Sequence, residues 1–372
     1  MVAWFCIERV GRRVMMDQLF PTMVVGSLPR PVFIRELIER RKFGEASEAE
    51  TSMVLDDAVP AAIRLQEAAG VDFVSDGEWR RESYVKVFAD AVAGFGADLI
   101  RPRPGSGAAA YPAVISALRQ ERPLAVAEAK FLLQSTTRRT IVALPSPYTI
   151  ARRMWSSDHS TAAYPTRACF MEACIPIVNE ELKRLTELGI DAIQLDDPWL
   201  VLLVDPEYRA REQSRDISAE IEMSIRGVNG AVQDVHHPFI SVHLCHAHGS
   251  RKHSTRGPYD EIIGALSQMN VHRFAMEFAT PDAGGIGVLA RFPQDKILGL
   301  GVIDHTDQMI ETPEIVVERV EAVMKHVSPD RLTLNPDCGF APSSINPMDL
   351  DEAYLKLKAL CDGAEMLRGR HG

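Results

Sequence analysis

The feature that most narrows the fold is a recurrence of short β-branched runs separated by longer amphipathic ones. Eight such runs can be read: 22–27 (TMVVGS), 71–76 (VDFVSD), 139–144 (RTIVAL), 190–196 (IDAIQLD), 239–245 (FISVHLC), 272–277 (HRFAME), 297–303 (ILGLGVI) and 331–335 (RLTLN). Alternation of this kind makes a parallel sheet wrapped by helices, and eight strands close a (β/α)8 barrel. The intervening segments read as helices in their own right. In 313–327, Val316, Val320, Val323, Met324 and Val327 share one face, with Thr312 at the N-cap and Pro313 in the first turn. In 174–188, Val178, Leu182 and Leu185 form a similar stripe, and Gly189 follows as a stop. Gly70-Val71-Asp72 and Gly189-Ile190-Asp191 open two of the strands in the same way, an echo expected of repeated βα units.

The expected architecture is α/β: a single TIM barrel over residues 21–372, preceded by a tail, residues 1–20, in which Met15 and Met16 are alternative starts. The stretch 97–125 has Pro, Gly and Ala without a clear period and reads as an insertion over one mouth of the barrel. With 41 Lys and Arg against 51 Asp and Glu, the net charge is −10. An acidic chain without clustered basic residues is a poor nucleic-acid binder. No run reaches the ~18 apolar residues of a membrane span. The opening MVAWFCIERVGRR is interrupted by Glu8 and Arg9 and has no small-residue cleavage site, so it does not read as a signal peptide. Six cysteines scattered over 372 residues make no disulfide framework. These bounds describe a soluble cytoplasmic protein, compatible with a homo-oligomer.

Metal-ligand residue types fall at the ends of three late strands. His243 and Cys245 end FISVHLC, Glu277 ends RFAME, and Cys338 follows RLTLN in the turn NPDCGF. Strand parity puts Ile240, Val242 and Leu244 toward the helices and His243 and Cys245 into the barrel; Glu277 likewise points inward with Ala275. Barrel active sites gather at the carboxyl ends of the strands, where these residues lie. Two Cys, one His and one Glu suit tetrahedral Zn2+, and thiolate softness disfavours magnesium or calcium. Two thiolates and a carboxylate bring the centre to 2 − 3 = −1, a poor activator of water but a good holder of a nucleophilic thiol. Alkyl transfer to sulfur is the chemistry that follows.

Six motifs then carry a family resemblance: GSLPRP at 26–31, SDGE at 75–78, QLDDP at 194–198, HLC at 243–245, MEF at 276–278 and NPDCGF at 335–340. In order and placement they resemble the catalytic barrel of cobalamin-independent methionine synthase, closest to its short single-barrel members, over roughly residues 20–366. By that resemblance His243, Cys245, Glu277 and Cys338 take the places of the zinc ligands. Ser27 matches the group that meets the carboxylate of homocysteine, and Glu78 and Asp196 match the carboxylates that hold its ammonium. Parity agrees, turning Gln194 and Asp196 inward and leaving Asp197 out. Asp304 and His305 sit near the family's proton-donor position, and a histidine can protonate a poor leaving group. Trp155 lies where the family places an aromatic near the methyl donor, but a core tryptophan is the reading preferred here.

The resemblance implies methyl transfer to homocysteine. The donor stays open between 5-methyltetrahydrofolate, a corrinoid carrier and a small molecule, because the second, amino-terminal barrel of the long enzymes is missing and GFAPSSINP lacks their basic residues. The alternative is a zinc-dependent thiol alkyltransferase such as the epoxyalkane:coenzyme M transferases, whose sulfonate substrate Glu78 and Asp196 would repel. His246 and His248 form an H-x-H of the kind metal hydrolases use, but a hydrolase would leave the cysteines unexplained. A structural zinc is disfavoured by the 338 − 243 = 95 residues between first and last ligand. The basic run 250–257 reads as a solvated loop near the mouth.

Overall fold

A computed structural model describes residues 18–100, 110–211, 216–249, 251–341 and 348–372. Most of the expected tail, Cys6 among it, lies outside these residues, as does most of the 339–347 turn.

Seven parallel strands pair in chain order: Phe73–Val74, Arg139–Pro145, Ala192–Asp196, Phe239–Leu244, Arg273–Met276, Ile297–Ile303 and Leu332–Pro336. The two edges of this curled sheet meet across the first expected strand. Thr22 bridges Leu334 on one side, and Met23 bridges Phe73 on the other. The Met23 N–H donates to Leu334 O at 2.9 Å and the Phe73 N–H to Thr22 O at 3.1 Å, which closes the ring. All eight expected strand positions are therefore present. The first is cut to two bridging residues, because the chain after it bends away to carry the 26–31 turn.

The internal echo has a physical basis. The helices Glu48–Ala69 and Arg167–Leu188 both end on a left-handed glycine, Gly70 (φ 97°) and Gly189 (φ 87°), a conformation that glycine adopts without a Cβ penalty. Two residues on, each unit places an aspartate that ties the neighbouring strand. Asp72 Oδ2 accepts from the backbone N–H of Thr22 at 2.8 Å and its hydroxyl at 2.9 Å. Asp191 Oδ2 accepts from the same two groups of Thr140 at 2.8 and 3.0 Å. The helix read at 313–327 is regular over Pro313–Val323, with Val316, Val320 and Val323 buried; Thr312 holds the N-cap place without a side-chain cap bond.

The segment expected to be an aperiodic insertion has regular structure in its described part: Val92–Ile100 and Tyr111–Gln120 pair as an antiparallel hairpin, a two-stranded sheet separate from that of the barrel. Its register shifts twice, and that erases the period-two signal a regular strand would show.

Beneath the carboxyl-terminal mouth lies a polar layer built from inward-facing strand positions. The Arg273 guanidinium donates to Thr333 Oγ1 at 2.7 Å, to Ser241 Oγ at 2.9 Å and to Asn335 Oδ1. Burial lowers its pKa to about 9. Gln194 donates across the barrel to Val25 O at 2.6 Å and to Asp196 Oδ1 at 3.0 Å, fixing the floor on which the site stands.

Candidate metal centre and active site

Sheet register brings the candidate residues side by side. Asp196 is the direct cross-strand partner of His243, and His243 is that of Ala275, two positions before Glu277. Cys338 arrives on the turn after the last strand, which is anchored twice: the Asp337 N–H donates to Ile303 O at 2.9 Å, and the Phe340 N–H to Ser27 O at 2.9 Å.

The ligand atoms of His243, Cys245 and Cys338 all lie within 4.8 Å of one another, and all three residues are buried. The two sulfurs are 3.6 Å apart. Two thiolates at ~2.3 Å from one tetrahedral ion would stand about 3.8 Å apart, so the pair is already at ligand spacing. Among the described residues neither ring nitrogen of His243 has an oxygen or nitrogen partner; the Cys245 sulfur is its polar neighbour, and a metal bond would satisfy it. Hydrogen bonding between the two sulfurs pulls the Cys245 thiol well below its usual range and pushes Cys338 up. Burial opposes protonation of His243, yet the charge on Cys245 raises its pKa to about 9. This donor set fits a soft tetrahedral ion.

Glu277 is adjacent but engaged elsewhere. Its Oε2 accepts from the His246 backbone N–H at 2.8 Å and lies 2.6 Å from His246 Nδ1, while His253 Nδ1 is 3.9 Å away. Burial acts to raise its pKa, and His246 outweighs that to leave it lowered. With His246 and His253 it forms a second close group of ligand-type atoms.

A pocket opens on the sulfur pair, walled in part by Ser27, Glu78, Asp196, His243 and His248. Glu78 sits in a left-handed conformation (φ 56°), a strain typical of functional turns. Asp76 Oδ1 holds that turn by accepting the Glu78 N–H at 2.9 Å. A Cβ on Gly26 would stand 2.6 Å from Glu78 Oε1, so only glycine there admits the carboxylate. An ion pair with Arg81 exists, but it is buried and long at 3.6 Å; Arg81 binds Glu128 at 2.7 Å instead, and Glu78 Oε2 has no partner. Burial raises Glu78 and lifts Asp196 to about 8, the state of carboxyls awaiting a cation. Asp197 turns the other way, bonded to Thr149 and Ser224.

His305 and Asp304 do not wall the pocket. His305 is buried one ring behind it, 4.0 Å from His248 and 5.2 Å from His253 by ring centroids, with neither nitrogen hydrogen-bonded among the described residues. Burial and the neighbouring histidines hold its pKa well below the usual value. The Asp304 carboxylate accepts from the N–H and hydroxyl of Thr306, both at 2.6 Å. Trp155 donates to Tyr164 O at 2.9 Å, away from the pocket. The 250–257 loop is not simply solvated: a short hairpin pairs His248 with His253 and turns the His253 side chain inward, 3% exposed. Sequence reading passed over Tyr84, Arg153 and His248 as pocket residues. Among these only His248 had a local signal, its H-x-H spacing.

Fold and site together define a parallel α/β barrel with a candidate soft-metal centre at its carboxyl-terminal mouth. The chain belongs to the cobalamin-independent synthase family, residues 20–365 matching the model of its catalytic domain. It is 30% identical over 353 residues to a methionine synthase of Saccharolobus islandicus (strain L.S.2.15 / Lassen #1), covering 94% of this chain and 95% of the relative. A methionine synthase of Sulfurisphaera tokodaii is 29% identical over 358 residues, covering 95% of this chain and 94% of the relative. In fold it is similar to a B12-independent methionine synthase from Shewanella sp. W3-18-1 solved in complex with selenomethionine, with a TM-score of 0.77, 24% identity and coverage of 95% and 98%. It is likewise similar to a putative vitamin-B12 independent methionine synthase from Listeria monocytogenes, with a TM-score of 0.72, 18% identity and coverage of 94% and 99%. Among the described residues no helix is long and apolar enough to cross a membrane.

Proposed function

We propose that this chain transfers a methyl group to the thiol of homocysteine, giving methionine, through Zn2+ held by His243, Cys245, Cys338 and Glu277. The observation that carries the reading is the sulfur pair at 3.6 Å opening onto a pocket with Ser27, Glu78 and Asp196 in its wall. Bound zinc would lower the pKa of the substrate thiol, making it a nucleophilic thiolate at neutral pH. The chain's own groups then bind and orient. Glu78 and Asp196 take the substrate ammonium, which restores the ionised state that burial opposes. Ser27 meets the carboxylate. Glu277, held by His246, would complete the ligand set.

As the sulfur lone pair forms the new S–C bond, the donor–methyl bond breaks and its electrons remain on the donor atom, which takes up a proton. The resemblance puts His305 near the proton-donor position, with Asp304 in the same turn; burial and the neighbouring histidines hold its pKa well below the usual value, so it serves as that donor only where bound substrate raises its pKa. Residues 21–372 act as one catalytic barrel behind a short tail, in the cytoplasm, where thiols stay reduced. Zinc-edge X-ray absorption with and without homocysteine tests the reading. Two sulfurs alone and three with homocysteine are expected; an unchanged sulfur count sinks it.

A further inference from the structure

The pocket contains a positive side chain that the thiol chemistry leaves unused. Arg153, on the helix Pro147–Met154 that follows the strand Arg139–Pro145, contributes to its wall. The guanidinium lies 4.1 Å from the ring centroid of Tyr111 and 5.0 Å from that of Trp199, and donates to Tyr111 Oη at 3.2 Å. Its buried Nε has no partner, and among the described residues no Asp or Glu is ion-paired with it. The adjacent Arg152 differs: it lies 3.9 Å from Glu220 and donates to Tyr208 Oη at 2.9 Å.

We propose that Arg153 selects the methyl donor, taking an anionic group of the second substrate, a carboxylate or phosphate, and turning away onium donors such as sulfonium or quaternary ammonium compounds. This rests on the thiol-methylation reading above. Two physical arguments converge. First, the acceptor's charges are already matched, its ammonium by Glu78 and Asp196 and its carboxylate by Ser27, so the guanidinium remains for the other substrate. Secondly, onium groups are recognised by open aromatic faces. The Tyr111 and Trp199 rings beside the guanidinium are already faced by Arg153, and Trp199 also by Arg152 at 5.0 Å, which leaves Tyr84 as the phenol ring in the pocket wall. A cationic donor would meet a like charge in the pocket wall. The anionic group is a handle and is unchanged by the reaction, in which only the donor–methyl bond breaks.

The test uses the zinc-loaded full chain, with 5-methyltetrahydrofolate and inorganic phosphate as anionic probes and trimethylsulfonium as the cationic one. Calorimetry should show the folate binding to wild type and trimethylsulfonium failing to bind. R153M should weaken the folate about 10- to 100-fold, the loss expected for a charged hydrogen bond, and R153K should recover part of it. The KM for homocysteine and the sulfur count at zinc should not move. Wild type binding neither anion, or binding trimethylsulfonium more tightly than the folate, would overturn the proposal. So would an R153M variant that loses homocysteine or coenzyme M affinity while keeping that of the folate, which would assign Arg153 to the thiol substrate. Should R153M fail to fold, R153K and the wild-type probe comparison decide. Failure of the thiol reading shows separately, as an unchanged zinc edge alongside Arg153-dependent anion binding.

Discussion

His246 Nδ1 lies 2.6 Å from Oε2 of Glu277, and the same oxygen accepts the His246 backbone N–H. The other ring nitrogen of His246 is 2.8 Å from Gly257 O, so the imidazole is clamped between a carbonyl and the carboxylate it aims. The residue directly after Cys245 thus controls the one proposed ligand that stands outside the His–Cys–Cys group. Outer partners of this kind orient ligands and tune metal affinity.

Replacing His246 should therefore act on the metal. H246A is expected to lower zinc affinity about 10- to 100-fold, whereas C338S should abolish stoichiometric zinc. Competition against a chelating dye measures both. Wild-type affinity in H246A would mean that Glu277 is oriented without it.

The pocket carboxylates should act on the acceptor. D196N and E78Q each remove one charge-assisted contact to an ammonium, about 1.5–3 kcal/mol, so the KM for homocysteine should rise about 10-fold or more. Zinc content should stay at the wild-type level. Steady-state kinetics with metal analysis separates the two effects, and a fall in bound zinc would move these residues into the metal site.

Gly26 makes a steric prediction. G26A would place a Cβ 2.6 Å from Glu78 Oε1, so the carboxylate must swing out of its place. The variant should copy the KM defect of E78Q while its melting temperature falls by a few degrees at most. A folded G26A with wild-type KM would show that the carboxylate position is not critical.

A pH effect is expected away from the site. Burial pushes His272 down to about 4, and its Nδ1 accepts the Ile240 N–H at 3.0 Å. Between that value and the ordinary 6.5 the folded state binds fewer protons than the unfolded chain, so stability falls as pH drops through this window. The loss is on the order of 3 kcal/mol by pH 4. H272N keeps an acceptor but cannot titrate, so its denaturant midpoint should change less than that of wild type between pH 7 and 4.5. Parallel curves for the two proteins would remove His272 from the account.

Much of the barrel was legible because its signals are local. Period-two alternation in Ile240, Val242 and Leu244 against Ser241, His243 and Cys245 is a property of a single strand, and the second set lies inside the barrel, Ser241 on Arg273 and His243 and Cys245 in the pocket wall. The choice of Asp196 over Asp197 rests on the same rule. The Gly-Val-Asp and Gly-Ile-Asp echo was readable, although the aspartate–threonine ties beneath it were not. The hairpin over Val92–Ile100 and Tyr111–Gln120 escaped because its bulged register leaves no period to count.

What the sequence determined by itself was the number of strands, the inward face of each and the residue types at their carboxyl ends, since these follow from backbone geometry repeated along the chain. Only the tertiary structure decided which charges meet. Glu277 is bound by His246, Arg81 turns to Glu128, His253 folds back against His305, and Arg153 faces the pocket with no counter-ion among the described residues. Pairing of charges depends on distances across loops and neighbouring strands, which no local pattern encodes, and at separations of 3–4 Å those distances set the sign and size of every electrostatic effect in the site.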